Sequence, residues 1–232
     1  MKAKFACLVV LLPAMVAAQA SDPLDGQGFQ WGSAFRESVL FLGIQHGFRL
    51  ATEPGTRAEL KGPFWRDYFK SVRGHTGWSD GDPFLVNYVG HPMMGAVAGF
   101  IQIQNDPRGR VQRFGTSREY WTSRLRAAAF STAYSIHFEF GPVSETSIGN
   151  VGKDARSGVV DLVITPTVGM AWLIGEDALD RYVVASLERR TGNRTARLLL
   201  RSVLNPSRSF SNALRFRAPW HRDNREAGVS FN

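Results

Sequence analysis

The amino-acid sequence predicts a mainly α-helical, single-domain bundle with a buried polar cluster and a basic, amphipathic C-terminal segment. Three observations lead to this fold class. Apolar residues recur at helical spacing over most of the chain, helix boundaries carry capping residues, proline or glycine, and evenly spaced alternating strands are absent. The chain has 232 residues, which is enough for one domain with its own core.

Helical periodicity of the apolar residues predicts five helices, at about residues 31–50, 63–72, 84–104, 117–140 and 157–190. Pro63 is expected at the start of the second helix, and Ser117 is expected to cap the fourth. In the fifth stretch, the β-branched residues of 159–165 leave a strand as an alternative. The second helix carries an aromatic face beside basic residues, which suits either a membrane interface or docking onto the core.

The first twenty residues have the pattern of a secretory signal peptide. Lys2 and Lys4 precede a short apolar core, and residues 18–20 (AQA) match the small-x-small pattern of a cleavage site. We therefore expect residues 1–20 to be removed and the mature chain to reach the periplasm or the outer membrane of a bacterium. The one cysteine, Cys7, lies within this segment, so the mature chain is expected to have no disulfide and no cysteine ligand.

Three of the predicted helices carry polar or small residues at intervals of four on an apolar background, which places them on one helix face. These stripes are Asn87, His91, Gly95 and Gly99; Ser131, Ser135 and Glu139; and Asp161, Thr165 and Gly169. Because a buried carboxylate or imidazole needs a partner, we expect the stripes to face one another around His91, Glu139 and Asp161. The glycines are expected to let another helix approach closely.

Three roles for this cluster follow from its residue types. His91 could act as a general acid or base with Glu139 or Asp161, the three groups could bind a metal, or the cluster could be a buried network that fixes helix packing. The Glu-x-x-His spacing of helical di-metal sites is absent, so the sequence assigns no metal and no cofactor. The residues predicted to support the cluster are Asn87, Ser135, Ser144, Glu145, Thr165 and Glu176.

Positive charge is concentrated near the C-terminus. From Arg181 onward the chain has eleven arginines, three acidic residues and no lysine. Helical spacing predicts one basic stripe, formed by Arg190, Arg194, Arg197 and Arg201. Arginine interleaved with aromatic residues suits anionic lipid phosphates, so we expect a membrane surface or anionic lipid as partner and no nucleic acid. A solvated helix face followed by a disordered end is the alternative, and no protein partner is predicted.

The motifs NYVGHPMMG, FEFGPVSETSIGN, DLVITPTVG and LIGE, in this order, resemble an uncharacterised bacterial envelope family, domain of unknown function 3943. The resemblance covers about residues 78–177 and the NPSRSF stretch. It implies a helical envelope domain and brings no activity with it. Asn150 departs from the family pattern, which often has Asp there. The family's motif positions fall on Asn87, Gly90, His91, Pro92, Gly95, Glu139, Ser144, Glu145, Asp161, Thr165, Pro166, Gly169, Gly175 and Glu176.

The sequence thus predicts three segments: a signal peptide at 1–20, a helical domain at 21–190 with its motif core at 78–177, and an Arg-rich amphipathic segment at 191–232. The favoured function is that of an exported, membrane-associated envelope protein without catalytic activity. A hydrolase or transferase acting on a lipid or cell-wall substrate through His91, Glu139 and Asp161 is the second hypothesis. An outer-membrane β-barrel is the third, and whether the protein is an enzyme is left open.

Overall fold

The computed structural model describes residues 28–60, 62–151, 153 and 157–225. The predicted signal peptide at 1–20 lies outside these residues. The described part of the chain is mainly helical, which confirms the predicted fold class. It contains one isolated β-bridge, between His75 and Ser157, and no strand.

Helical segments account for most of the described residues. The α-helices are α1 (Trp31–Thr52), α2 (Pro54–Glu59), α3 (Phe64–Gly74), α4 (His91–Asn105), α5 (Arg118–Phe140), α6 (Glu145–Ile148), α7 (Val160–Leu179), α8 (Ala185–Arg190), α9 (Arg194–Val203) and α10 (Pro206–Leu214). A π-helical turn, Val86–Gly90, leads directly into α4, and a second, Asp180–Val184, joins α7 to α8. Ser117 caps α5 as predicted, because its side chain accepts a hydrogen bond from the backbone N–H of Tyr120.

Residues 160–165 are helical and Val159 is the N-cap residue of α7, which excludes the strand alternative. Val159 and Val160 donate their backbone N–H groups to the carbonyls of Gly77 and Trp78, at 3.2 and 3.1 Å. These bonds satisfy two donors that the first turn of a helix leaves free. Pro166 lies inside α7, where its fixed backbone angle is accommodated within a packed helix.

Helix α4 is the centre of the fold and is buried along almost its whole length. It packs against α7 and α5 on one side and against α10 and α1 on the other. A Cβ atom on Gly95 would lie 2.0 Å from the carbonyl oxygen of Thr165, and one on Gly169 would lie 2.8 Å from that of Pro92. The backbones of α4 and α7 are therefore in direct contact, which is the close approach predicted from the glycines.

The C-terminal segment is part of this core. Leu214 of α10 belongs to the same apolar cluster as Phe41 of α1 and Ile101 of α4. Ser211 and Asn212 hydrogen-bond to the side chain of Gln104, at 2.8 and 3.1 Å. The segment predicted as an amphipathic extension from residue 191 thus packs into the bundle, because α10 supplies both apolar contacts and buried hydrogen bonds to α4.

Candidate functional site

The three predicted stripes converge inside the bundle. His91, Glu139 and Asp161 are all buried, and each offers one nitrogen or oxygen atom within 4.8 Å of the other two. Nε2 of His91 lies 3.5 Å from Oδ2 of Asp161. Ser131 Oγ donates to the carbonyl oxygen of Gly95 at 2.8 Å, which joins α5 to α4 beside this cluster.

The π-helical turn Val86–Gly90 places Asn87 and His91 in the cluster. The backbone N–H of His91 bonds to the carbonyl of Val86, five residues earlier, and Pro92, which lacks an N–H, follows in the first turn of α4. Such turns are rare and are found frequently at functional sites. Asn87 Nδ2 donates to Asp80 Oδ1 at 2.8 Å, which brings a loop carboxylate to the edge of the cluster.

Burial dominates the protonation of the cluster. It raises the pKa of Glu139 well above its usual range, and repulsion by Glu145 and Asp161 raises it further. Burial, a hydrogen bond with Asp80 and repulsion by neighbouring acids raise the pKa of Asp161 to about 8. Burial lowers the pKa of His91 to about 4, against the opposing attraction of Asp80. At neutral pH the imidazole is therefore neutral and the Asp161 carboxyl group retains its proton.

Acidic residues outnumber basic ones around the cluster. Arg49 ion-pairs with Glu145 and, at 2.8 Å, with Glu53. Within the described residues no ion pair reaches Glu139, and the group that approaches Asp161 is the imidazole of His91, which is neutral at pH 7. The buried oxygens Asn87 Oδ1 and Thr165 Oγ1 also have no hydrogen-bond partner there.

Not all predicted supporting residues belong to the cluster. Ser135 and Thr165 do, and Ser135 Oγ lies 3.5 Å from the carbonyl oxygen of Asp161. Ser144 instead caps α6 by accepting a hydrogen bond from the N–H of Ser147. Glu176 lies fifteen residues after Asp161, about 22 Å along α7, where it accepts hydrogen bonds from the N–H groups of Ser207 and Arg208 at the start of α10. Glu176 therefore lies away from the cluster, contrary to the prediction, and the contacts shown by Ser144 are those of a helix cap.

The predicted basic stripe does not exist as one surface. The helix ends at Arg190, and Asn193 caps a new helix by accepting a hydrogen bond from the N–H of Ala196. The break removes the helical register between Arg190 and Arg194. Arg201 is only 2% exposed and ion-pairs with Glu188, while Arg197 Nε donates to the carbonyl of Thr191 at 2.6 Å.

Other arginines of the C-terminal third line a cavity of about 390 Å³. Arg208 pairs there with Asp177, Arg225 pairs with Asp180, and Arg113 donates to the carbonyl of Asn224. Sequence periodicity could not indicate this cavity, because its walls come from residues 112–114, 177–189, 208 and 224–225. Most of these guanidinium groups already have protein acceptors, so the cavity is lined by a largely satisfied network.

Asp80 and Arg49 are the neighbours of the cluster that sequence reasoning missed. Asp80 lies in a loop and Arg49 near the end of α1, and no helical periodicity relates either residue to His91. Asn150, which departs from the family pattern, has a positive φ of 48°, a conformation that Asn tolerates. Its Nδ2 donates to Glu59 Oε2 at 3.1 Å, a contact that the carboxylate of an Asp could not make.

The outer face of α1 is apolar, while its inner face contains polar groups. Glu37 and His46 are buried, and Arg36 is the one charged side chain in the exposed stripe between Trp31 and Phe48. Phe35 and Phe48 are 73% and 71% exposed. We call this stripe the apolar face of α1; its large residues are Trp31, Phe35, Val39, Leu40, Ile44 and Phe48.

Helix α3 also buries polar side chains and exposes large apolar ones. It buries Asp67 and Ser71. Its exposed aromatic side chains, Phe64, Trp65 and Phe69, lie beside the exposed basic residues Arg66, Lys70 and Arg73. Phe64, Trp65 and Phe69 of the predicted aromatic face are therefore turned outward, whereas Tyr68 contacts the core by donating to the carbonyl of Phe140 at 2.6 Å.

Comparison of the chain with known protein families, with curated proteins and with solved structures finds no match in any of the three. Within the described residues, the continuous helix Val160–Arg190 is long and apolar enough to cross a membrane by length and composition, and one third of its most apolar window is buried in the fold.

Proposed function

We propose that this protein is an exported bacterial envelope protein that binds an anionic membrane surface through α1 and α3, and that it belongs to the envelope family its motifs resemble. The observation that carries the proposal is the apolar face of α1, which exposes Phe35 and Phe48 while Glu37 and His46 are buried. The face extends for about 25 Å along the helix. Large exposed apolar patches mark sites of protein or membrane interaction.

Helix α3 has an exposed face of its own, and the composition of that face favours lipid as the partner. An interfacial helix combines aromatic residues, which enter the headgroup region, with basic residues, which attract anionic lipids. Trp65 is 66% exposed, and Arg66 and Arg73 are exposed on the same helix. The signal-peptide pattern of residues 1–20 supports export to a compartment bounded by such membranes.

Vesicle flotation of the purified protein tests the proposal. The wild-type chain is expected to float with vesicles that contain phosphatidylglycerol and to bind less as salt is raised. Phe35→Ser and Phe48→Ser should each lower the partition coefficient by on the order of tenfold, because each removes up to about 1.5–3 kcal/mol of apolar burial. Arg66→Gln and Arg73→Gln should each lower it about fivefold, and only on anionic vesicles.

Val203→Ser on α9 is the matched control, because Val203 is 69% exposed but lies outside α1 and α3. It should leave flotation unchanged. Equal flotation of the wild type and of the Phe35→Ser/Phe48→Ser double variant would contradict the proposal. A larger loss for Val203→Ser than for Phe35→Ser would assign membrane binding to the C-terminal segment instead.

A second candidate function is acid–base catalysis on a lipid or cell-wall substrate, which the 3.5 Å approach of His91 Nε2 to Asp161 Oδ2 favours. His91→Ala and Glu139→Gln test it when the melting temperature and the envelope phenotype of a complemented deletion strain are measured together. Loss of complementation at an unchanged melting temperature supports catalysis. Loss of both together indicates a structural network, because breaking a buried polar pair costs about 3–5 kcal/mol.

A further inference from the structure

One interior corner of the bundle collects polar atoms that lack partners. His91, Glu139 and Asp161 come from three different elements, and their nitrogen and oxygen atoms lie within 4.8 Å of one another. Asn87 precedes His91 by four residues, and Thr165 follows Asp161 by four, so each lies on the same helix face as its neighbour. Both side chains are more than nine-tenths buried. Within the described residues, neither Asn87 Oδ1 nor Thr165 Oγ1 has a hydrogen-bond partner. These oxygens indicate that the corner accommodates a group from outside the chain.

We propose that His91, Glu139 and Asp161 form a binding site for a single divalent transition-metal ion, with Zn²⁺ as the best fit. One imidazole nitrogen and two carboxylate oxygens are a donor set that Zn²⁺ uses, whereas Ca²⁺ takes six to eight oxygen ligands. Three protein ligands leave a fourth position open on a tetrahedral ion. Asn87 Oδ1 and Thr165 Oγ1 are acceptors that a water molecule in that position can use.

The distances are compatible with this ion. Zn²⁺ bonds of about 2.0–2.2 Å in a tetrahedron require ligand atoms roughly 3.4 Å apart. His91 Nε2 and Asp161 Oδ2 already lie 3.5 Å apart, and no pair among the three ligand atoms exceeds 4.8 Å. The remaining adjustment is about 1.4 Å at most, which side-chain rotation supplies without movement of the helices.

The local charge also favours a cation. Glu139 and Asp161 are buried close together, and Asp80 lies beside Asp161. Arg49, the cationic side chain that acts on Glu139, is held by Glu53 and Glu145. A dipositive ion between Glu139 and Asp161 takes the place of the protons on the two carboxyl groups and neutralises the resulting carboxylates, which is how buried charges are normally accommodated.

Calorimetric titration of the full-length, chelator-treated protein with Zn²⁺ tests the site, with Mn²⁺ and Mg²⁺ as comparisons. The expected result is one Zn²⁺ per chain, tighter binding of Zn²⁺ than of Mn²⁺ or Mg²⁺, and a melting temperature that rises with Zn²⁺ concentration. Glu139→Gln and Asp161→Asn should each weaken Zn²⁺ binding about 100-fold or more. Thr165→Val should weaken it about 10–100-fold, as expected for a group that acts through a bound water.

His137→Gln is the matched control, because this histidine is exposed and lies two residues before Glu139 on α5. It should bind Zn²⁺ like the wild type. Absence of Zn²⁺ binding by the wild type overturns the proposal, as does unchanged affinity in folded Glu139→Gln and Asp161→Asn variants. If either variant fails to fold, the visible spectrum of the Co²⁺-loaded wild type decides, since a six-coordinate, solvent-like spectrum contradicts the site. The Phe35→Ser variant, which tests membrane binding, should bind Zn²⁺ with wild-type affinity. The metal proposal can therefore fail or hold independently of the membrane proposal.

Discussion

Gly95 determines how closely α4 and α7 pack. A methyl group at this position would lie 2.0 Å from the carbonyl oxygen of Thr165, a backbone atom that cannot turn away. We expect Gly95→Ala to lower the free energy of unfolding by about 3 kcal/mol, the upper end of the usual cost of overpacking. Urea unfolding followed by circular dichroism measures this change.

Gly43→Ala is the control for that substitution. Gly43 is also in a helix, but a methyl group there meets no atom within 4 Å. Alanine should therefore raise the free energy of unfolding by about 0.5–1 kcal/mol, since it restricts the unfolded chain more than glycine does. Equal effects of the two substitutions would show that helix propensity, and not the contact between α4 and α7, determines the result.

His46 should make stability depend on pH. Its ring is buried and stacks on Phe138, with ring centroids 5.1 Å apart, and burial lowers its pKa to about 4 from a usual value of 6.5. Above pH 6.5 both the folded and the unfolded chain have a neutral imidazole. As the pH falls from 6.5 towards 4, the unfolded chain takes up the proton first, so folded-state stability is lost over this window.

The size of this effect follows from the two pKa values. Between pH 8 and pH 5 the loss attributable to His46 is about 2 kcal/mol. Denaturant unfolding of the wild type and of His46→Gln at both pH values measures it, because the variant lacks the titrating group. The wild type should lose about 2 kcal/mol more than the variant over this interval, and parallel losses in both proteins would contradict the assignment.

At the level of elements, local sequence patterns predicted helices well and irregular turns poorly. Ser117 marked the start of α5 because an N-cap depends on residues within one turn. The π-helical turn Val86–Gly90 was not predicted, since a register shift of one residue leaves the pattern of apolar residues almost unchanged. The break at 191–193 was missed as well, although Gly192 and Asn193 are typical of a helix end followed by a new cap.

The cap at Ser117 can be tested directly. Its Oγ accepts a hydrogen bond from the N–H of Tyr120 at 3.2 Å. Ser117→Ala should lower the free energy of unfolding by about 1 kcal/mol, whereas Ser117→Asp retains an acceptor and should restore most of it. Differential scanning calorimetry of both variants makes the comparison. If Ser117→Asp is as unstable as Ser117→Ala, the cap contributes nothing to stability.

At the level of the whole molecule, the sequence predicted the cluster but not the ion pairs between residues far apart in the chain. Helical spacing placed His91, Glu139 and Asp161 on facing stripes because each stripe repeats within a few turns. The ion pairs Arg124–Asp177 and Arg222–Asp180 join residues 53 and 42 positions apart. No local sequence pattern indicates such pairs. The arginines of the C-terminal segment were therefore expected to form an exposed basic surface, whereas several of them are buried.

Truncation after Leu204 tests whether the C-terminal segment is part of the fold. This change removes Leu214 from the core and leaves Glu176 without the N–H groups of Ser207 and Arg208. It also removes Arg222, which ion-pairs with Asp180 at 2.9 Å and holds its carboxylate together with Arg225. We expect the shortened chain to have no cooperative thermal transition, because unpaired buried carboxylates and an exposed core face together exceed the usual stability of a domain.

Asn212→Ala is the control for this truncation, because it removes one buried side chain of the segment and leaves the chain intact. Asn212 is fully buried, donates to the carbonyls of Pro219 and His221, and accepts from Gln104. Removing its side chain while the chain stays intact should lower stability by about 2–4 kcal/mol and leave a single cooperative transition. If the chain ending at Leu204 instead melts cooperatively with wild-type helicity per residue, residues 205–232 are not required for the fold.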